Sequence, residues 1–197
     1  MEERGFWRRR WPAIRRPALV IALLGLVSGP LGAVPAVDLA MVHAPMPGAV
    51  CPLLRAELLD LLVPGRADLR DGTEPLDPKR PFSVAWCYVS TSKNDATETG
   101  AVRLSVTVVA YGRRGWDGPV ALAENYLSHA GFVGERRYAV PELGPGAHFW
   151  FGNDGTVYVQ ARLGGRGVGA EYFNLGIPVE RRVEAAVLAA REVRAAL

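Results

Sequence analysis

The sequence predicts an α+β domain, a mostly antiparallel sheet flanked by helices, behind an N-terminal hydrophobic leader. Three observations predict it. An apolar run, Ala18 to Val27, follows an arginine-rich head. Alternating apolar and polar runs separated by short turn signals recur from Phe82 onward, which calls for antiparallel pairing. Segments opened by Pro52, Pro119 and Pro178 repeat apolar residues at helical spacing, and such stripes need a sheet face to cover.

Taken in order, residues 1–36 read as a signal peptide or membrane anchor, 37–48 as a lead-in linker, and 49–197 as a single extracytoplasmic α+β domain. The head ends in Arg15-Arg16-Pro17, and small residues with helix breakers follow the apolar run. These are the three parts of a secretory signal. Positive charge keeps the head cytoplasmic, so the chain beyond the apolar run is translocated. Cleavage after Ala36 releases the domain. Retention leaves Ala18 to Val37, 20 residues, long enough to anchor it in a membrane. Both readings stand. A lipid anchor needs a cysteine directly after the run and none is there; the residues after the arginine pairs fit a twin-arginine signal poorly.

The formal net charge is +3, but the leader holds six arginines against Glu2 and Glu3, leaving 17 basic and 18 acidic side chains beyond it. The domain is near neutral. No nucleic-acid partner is expected.

The chain has two cysteines, Cys51 and Cys87. In an exported protein an even, low count points to a structural disulfide. Closing a loop of that length stabilises by on the order of 3–4 kcal/mol in the chain-entropy model. The bridge would fix a helix near Cys51 to a strand near Cys87. Neither the close spacing of a redox pair nor a zinc ligand set is present.

A first helix runs from Pro52 through Leu62 and stops at Pro64-Gly65. Residues 64–81, rich in proline and charge, read as a loop. Phe82–Thr91 is a strand with Phe82, Val84, Trp86 and Tyr88 on one side and Cys87 on the other. Val102–Tyr111 alternates most clearly and pairs with it. Pro119 opens a helix to His129-Ala130, its core face drawn from Leu122, Tyr126, Leu127 and Ala130. Phe132–Val140 holds an edge strand. His148–Phe151 and Thr156–Leu163 flank the hairpin signal Asn153-Asp154-Gly155. Val168–Phe173 is a further strand. Pro178 opens a last helix to Leu197, with Val179, Val183, Ala186, Val187, Ala190, Val193 and Leu197 as its stripe.

Cys51-Pro52-Leu53-Leu54 opening a helix, Trp86-Cys87 in a strand, Glu142-Leu143-Gly144-Pro145-Gly146-Ala147 before a hairpin, and a final amphipathic helix carry a resemblance. The chain resembles the small exported actinobacterial domains of the Lpq type, mostly of unknown function. The resemblance covers most of residues 48–197 and implies a PsbP-like α/β/α sandwich. Many such proteins carry a lipobox, and this chain departs from them there. The resemblance brings no catalytic residues with it.

For chemistry the sequence offers little. His43, His129 and His148 show no triad or ligand spacing. Gly164-Gly165-Arg166-Gly167-Val168-Gly169 lies between two strand-like runs, where a phosphate loop should join a strand to a helix; a hairpin turn is expected. Glu142, Asp154 and Glu171 lack the spacing of a metal loop. No catalytic, cofactor or metal site is expected. Arg113, Arg114 and Trp116 form the candidate partner-binding group in a glycine-flanked turn; in the competing reading Trp116 folds back on the core.

The expectation is therefore an exported, non-enzymatic cell-envelope protein, a binding or accessory module for an envelope protein, lipid or wall component. If the leader is retained, residues 18–37 make the membrane contact. The alternatives are an extracytoplasmic hydrolase or transferase, signalled by a pocket joining His148 or His129 to carboxylates, and a membrane-anchored structural accessory.

Overall fold

Two meanders meet along the central strands of one sheet. The structure, a computed structural model, describes residues 45–74, 82–93, 100–112, 117–129 and 135–197. The leader lies outside them. The first meander is β1 (Asp68–Thr73), β2 (Phe82–Ser90) and β3 (Arg103–Tyr111). The second is β4 (Tyr138–Ala139), β5 (His148–Phe151), β6 (Val157–Leu163) and β7 (Arg166–Phe173). The strand order is β1-β2-β3-β7-β6-β5-β4, and every neighbouring pair is antiparallel. The seam runs from Arg103 opposite Phe173 to Ala110 opposite Arg166. Helix α1 (Ala56–Leu62) precedes the sheet, α2 (Pro119–His129) lies in the connection between the meanders, and α3 (Val179–Ala196) ends the chain. The α+β expectation holds.

Strand alternation sorts the side chains onto two faces. Leu104, Val106 and Val108 of β3 share a face with Val168 and Ala170 of β7 and Val159 of β6, all buried. Helix α3 packs there. It turns Ala185, Ala186, Ala189 and Ala190 inward with Val187 and Val193; the small alanines let its axis lie close to the sheet. Val179, Val183 and Leu197, expected in the stripe, are only half-buried.

Cys51 and Cys87 are joined, their Cα atoms 4.9 Å apart. Cys87 lies on the α3 side of β2, opposite Val106. The bond holds the chain before α1 against the core, as the sequence predicts. Two polar contacts reinforce it. The Asp71 carboxylate accepts the backbone N–H groups of Val50 (3.0 Å) and Cys51 (3.2 Å). The buried Tyr172 hydroxyl donates to the Leu62 carbonyl (2.8 Å) at the end of α1.

Several expectations are corrected. The stretch 64–81, read as a loop, contains β1, whose sequence DLRDGT shows no apolar alternation. It is an edge strand, where charge is tolerated because one rim meets solvent. The first helix is shorter than expected: Cys51–Leu53 is a 3-10 turn, Leu54 is extended, and α1 begins at Ala56. In α2 the core face comprises Ala123 and Leu127, while Tyr126 is exposed and Leu122 half-buried; the small Ala123 is what fits over the sheet. The expected edge strand at 132–140 reduces to Tyr138–Ala139 within the described residues. Strand β7 starts at Arg166, before the expected Val168, because Gly164 at φ +58 closes a tight turn. Among the described residues no helix is long and apolar enough to cross a membrane.

Candidate functional site

The sheet face away from α3 is built differently. The register sets His148, Gln160, Gly169 and Thr107 side by side across four strands. Next to them, Trp150, Tyr158, Glu171 and Ser105 form a second row. Helix α2 lies over β3, β6 and β7 on this side. Gly167 and Gly169, two apart on β7, place no side chain between the helix and the strand. A Cβ added at Gly169 would meet nothing nearer than 3.9 Å. The result is a cavity of about 380 Å³ walled by Val109, Ala123, Leu127, Trp150, Tyr158 and Gln160.

Its polar groups are few. Trp150 is 5% exposed, and its Nε1–H has no partner among the described residues. The same holds for Gln160 Oε1 on the adjacent strand, and for the Tyr111 hydroxyl beside Gly167. All three atoms are closed off from the open space of the cavity as well as from solvent. Burial, followed by the neighbouring Tyr126, pushes the Tyr111 hydroxyl pKa well up; it stays a neutral donor. The Trp150 ring stacks on Tyr158 at 5.2 Å and 10°.

A narrower groove adjoins the cavity, lined by Tyr88, Arg103, Asp154, Tyr158, Glu171 and Phe173. The Arg103 guanidinium lies 4.3 Å over the Phe173 ring and 4.0 Å from Asp154 Oδ2. The two carboxylates diverge. Desolvation by the surrounding protein raises the Glu171 pKa, Asp154 adds to this, and Arg103 opposes it, although the side chain keeps an open side to solvent. Burial would raise Asp154 too. The Thr156 backbone N–H (3.0 Å) and hydroxyl (2.7 Å), with Arg103, outweigh it and hold that carboxyl below its usual range.

His148 is buried, and its Nδ1–H donates to the Gly146 carbonyl at 2.9 Å. It lines a shallow hollow with Arg137 and Pro145, without a carboxylate. The structure thus places His148 apart from Glu171 and Asp154. His129 closes α2. His43, Arg113, Arg114 and Trp116 lie outside the described residues. Glu142 sits in the 3-10 turn Pro141–Leu143, away from Asp154 and Glu171. No group of three His, Cys, Asp or Glu suited to a metal ion occurs among the described residues.

The glycine cluster separates into two parts. Gly164 and Gly165 make the expected turn, whereas Gly167 and Gly169 form the cavity floor. Their spacing of two within a strand was the available signal, since it puts both on one face. No family model, curated protein or solved structure matches the chain.

Proposed function

We propose that this is an exported, non-enzymatic cell-envelope protein that binds a small molecule between α2 and the sheet. The observation that carries the reading is the cavity over Gly167 and Gly169, lined mainly by apolar groups with a few polar side chains, Thr107, Gln160 and Glu171 among them, the usual make-up of a ligand site. The disulfide supports an oxidising, extracytoplasmic compartment. The hydrophobic leader supports export, and the resemblance to Lpq-type, PsbP-like envelope domains agrees with it.

A second reading, an extracytoplasmic hydrolase, draws on the groove where the pKa values of Glu171 and Asp154 are pushed apart, the pattern of an acid and a base. Its test is loss of hydrolysis in Glu171→Gln.

Native mass spectrometry of the full chain, from membrane and culture-fluid fractions, tests the first reading. The expected result is a protein two hydrogens light, outside the cytoplasm, carrying a small-molecule adduct that Gly169→Leu removes. Free thiols in a cytosolic fraction would sink export. Absence of an adduct from the native protein would sink the binding role.

A further inference from the structure

The cavity does not end at Glu171. Tyr158 and Glu171 line both it and the narrower groove, so the two form one trough along β7. We propose that this trough takes an amphiphile with an apolar body and a protonated amine head, the body between α2 and the glycine floor and the ammonium beside Glu171. This rests on the binding reading above and deepens it.

Three features select the class. The first is the register. On the face away from α3, Gly167, Gly169, Glu171 and Phe173 follow one another at every second position of β7. Val109 lies opposite Gly167, Thr107 opposite Gly169, Ser105 opposite Glu171 and Arg103 opposite Phe173. From Gly167 to Phe173 the strand rises about 20 Å. The cavity takes the first three of these rows and the groove the last two. They share the row of Glu171, where Tyr88 on β2 and Tyr158 on β6 stand at either side of Ser105 and Glu171.

Polarity changes along that line, which is the second feature. At the Gly167 end, Val109, Ala123 and Leu127 enclose a floor without side chains, and a Cβ of Gly169 would meet nothing nearer than 3.9 Å. Walls of this kind favour an apolar body, whose surface leaves water on entering. At the other end, Arg103, Asp154 and Glu171 are the charged residues of the groove. Asp154 and Glu171 are exposed, so a charged head placed there keeps part of its hydration. A sugar would instead set hydroxyls against Val109 and Leu127, where burying them without partners is costly.

The sign of the head is the third. Two carboxylates share the groove with one guanidinium. That of Arg103 lies 4.3 Å over the Phe173 ring and 4.0 Å from Asp154 Oδ2, so its charge is directed at Asp154. Among the described residues no cation pairs directly with Glu171, where burial and Asp154 disfavour the ionised form. An ammonium beside it favours that form, whereas an anionic head meets both carboxylates. Arg162 stands on the same face opposite Gly167, at the apolar end, and lines neither space.

The test is isothermal titration calorimetry of the full chain with three probes of one chain length, decylamine, decanol and decanoate, all kept below micellar concentration. Decylamine should bind about fivefold more tightly than decanol, the contribution of an ion pair at a partly exposed site, and decanoate more weakly than either. Glu171→Gln, at an exposed position, should remove the preference for decylamine while decanol binds as before. Gly169→Leu should abolish binding of all three, with a cooperative thermal transition as proof of folding. The proposal is overturned if decanol or decanoate binds the native protein as tightly as decylamine, or if Glu171→Gln keeps the preference; in either case the head-group class falls and the binding role stands. Decylamine bound unchanged by a folded Gly169→Leu also overturns it, since the amine then lies elsewhere. If none of the three binds, the class again falls, and the native adduct alone decides the role.

Discussion

Gly72 on β1 shows how closely single residues are constrained. It lies opposite Trp86 in the register, and a Cβ added there would come within 2.5 Å of the indole ring. Gly72→Ala must displace Trp86 or the edge strand, and we expect a loss of about 2 kcal/mol, in the range of overpacked substitutions. Urea unfolding measures it. If Trp86→Leu makes the Gly72→Ala change nearly neutral in a double-mutant cycle, the ring is the cause; an unchanged cost would place it elsewhere. At this scale the sequence is uneven to read. Cys51 and Cys87 are legible because two cysteines allow one pairing. Trp150 reads as sheet core, and it is buried, yet its place in the cavity wall depends on which strand lies beside it. Gln160 carries no signal of its own, being one polar residue among several on the outward side of an alternating strand.

Secondary elements were legible where alternation or capping was local. β2, β3, β6 and α3 fall within a residue or two of their expected limits, since each buries a face of its own. β1 was not, because its place is set by partners: Asp71 caps the backbone of Val50 and Cys51, and the strand pairs along the whole of its length with β2. α2 was placed correctly but turned, since the choice of Ala123 over Tyr126 depends on the glycine floor beneath. The bridge links the chain ahead of α1 to β2 across 36 residues. Replacing both cysteines with alanine should cost about 3 kcal/mol in urea under non-reducing conditions. A loss below about 1 kcal/mol would mean that the Asp71 contacts and the packing of α1 already hold the segment without covalent help.

For the molecule as a whole, the central position of β3 and β7 sets a gradient of stability. Val106, Val108, Val168 and Ala170 lie between paired strands on both sides and are buried. β1 and β4 are edges, and β4 has two residues. Amide exchange should be slowest at those four positions and fastest in β4, with β1 intermediate because of the bridge. Equal protection in β4 and β3 would contradict this ordering. The class of fold was legible from the order of elements, but the joining of the two meanders was not. The β3–β7 seam connects residues far apart in sequence across α2, and no local pattern announces which strands will meet.

The bridge also has a mechanical consequence. A pull on the chain ahead of Val50 reaches the sulfur–sulfur bond at Cys51 and is passed to β2, without first unravelling α1 or peeling β1 from the sheet. The two cysteines stand 36 positions apart, and the segment between them stays out of the extended length, which withholds about 120 Å of contour from any drawn-out molecule. Tension on the leader side is therefore borne within the sheet, while α1 and β1 stay slack inside a closed loop.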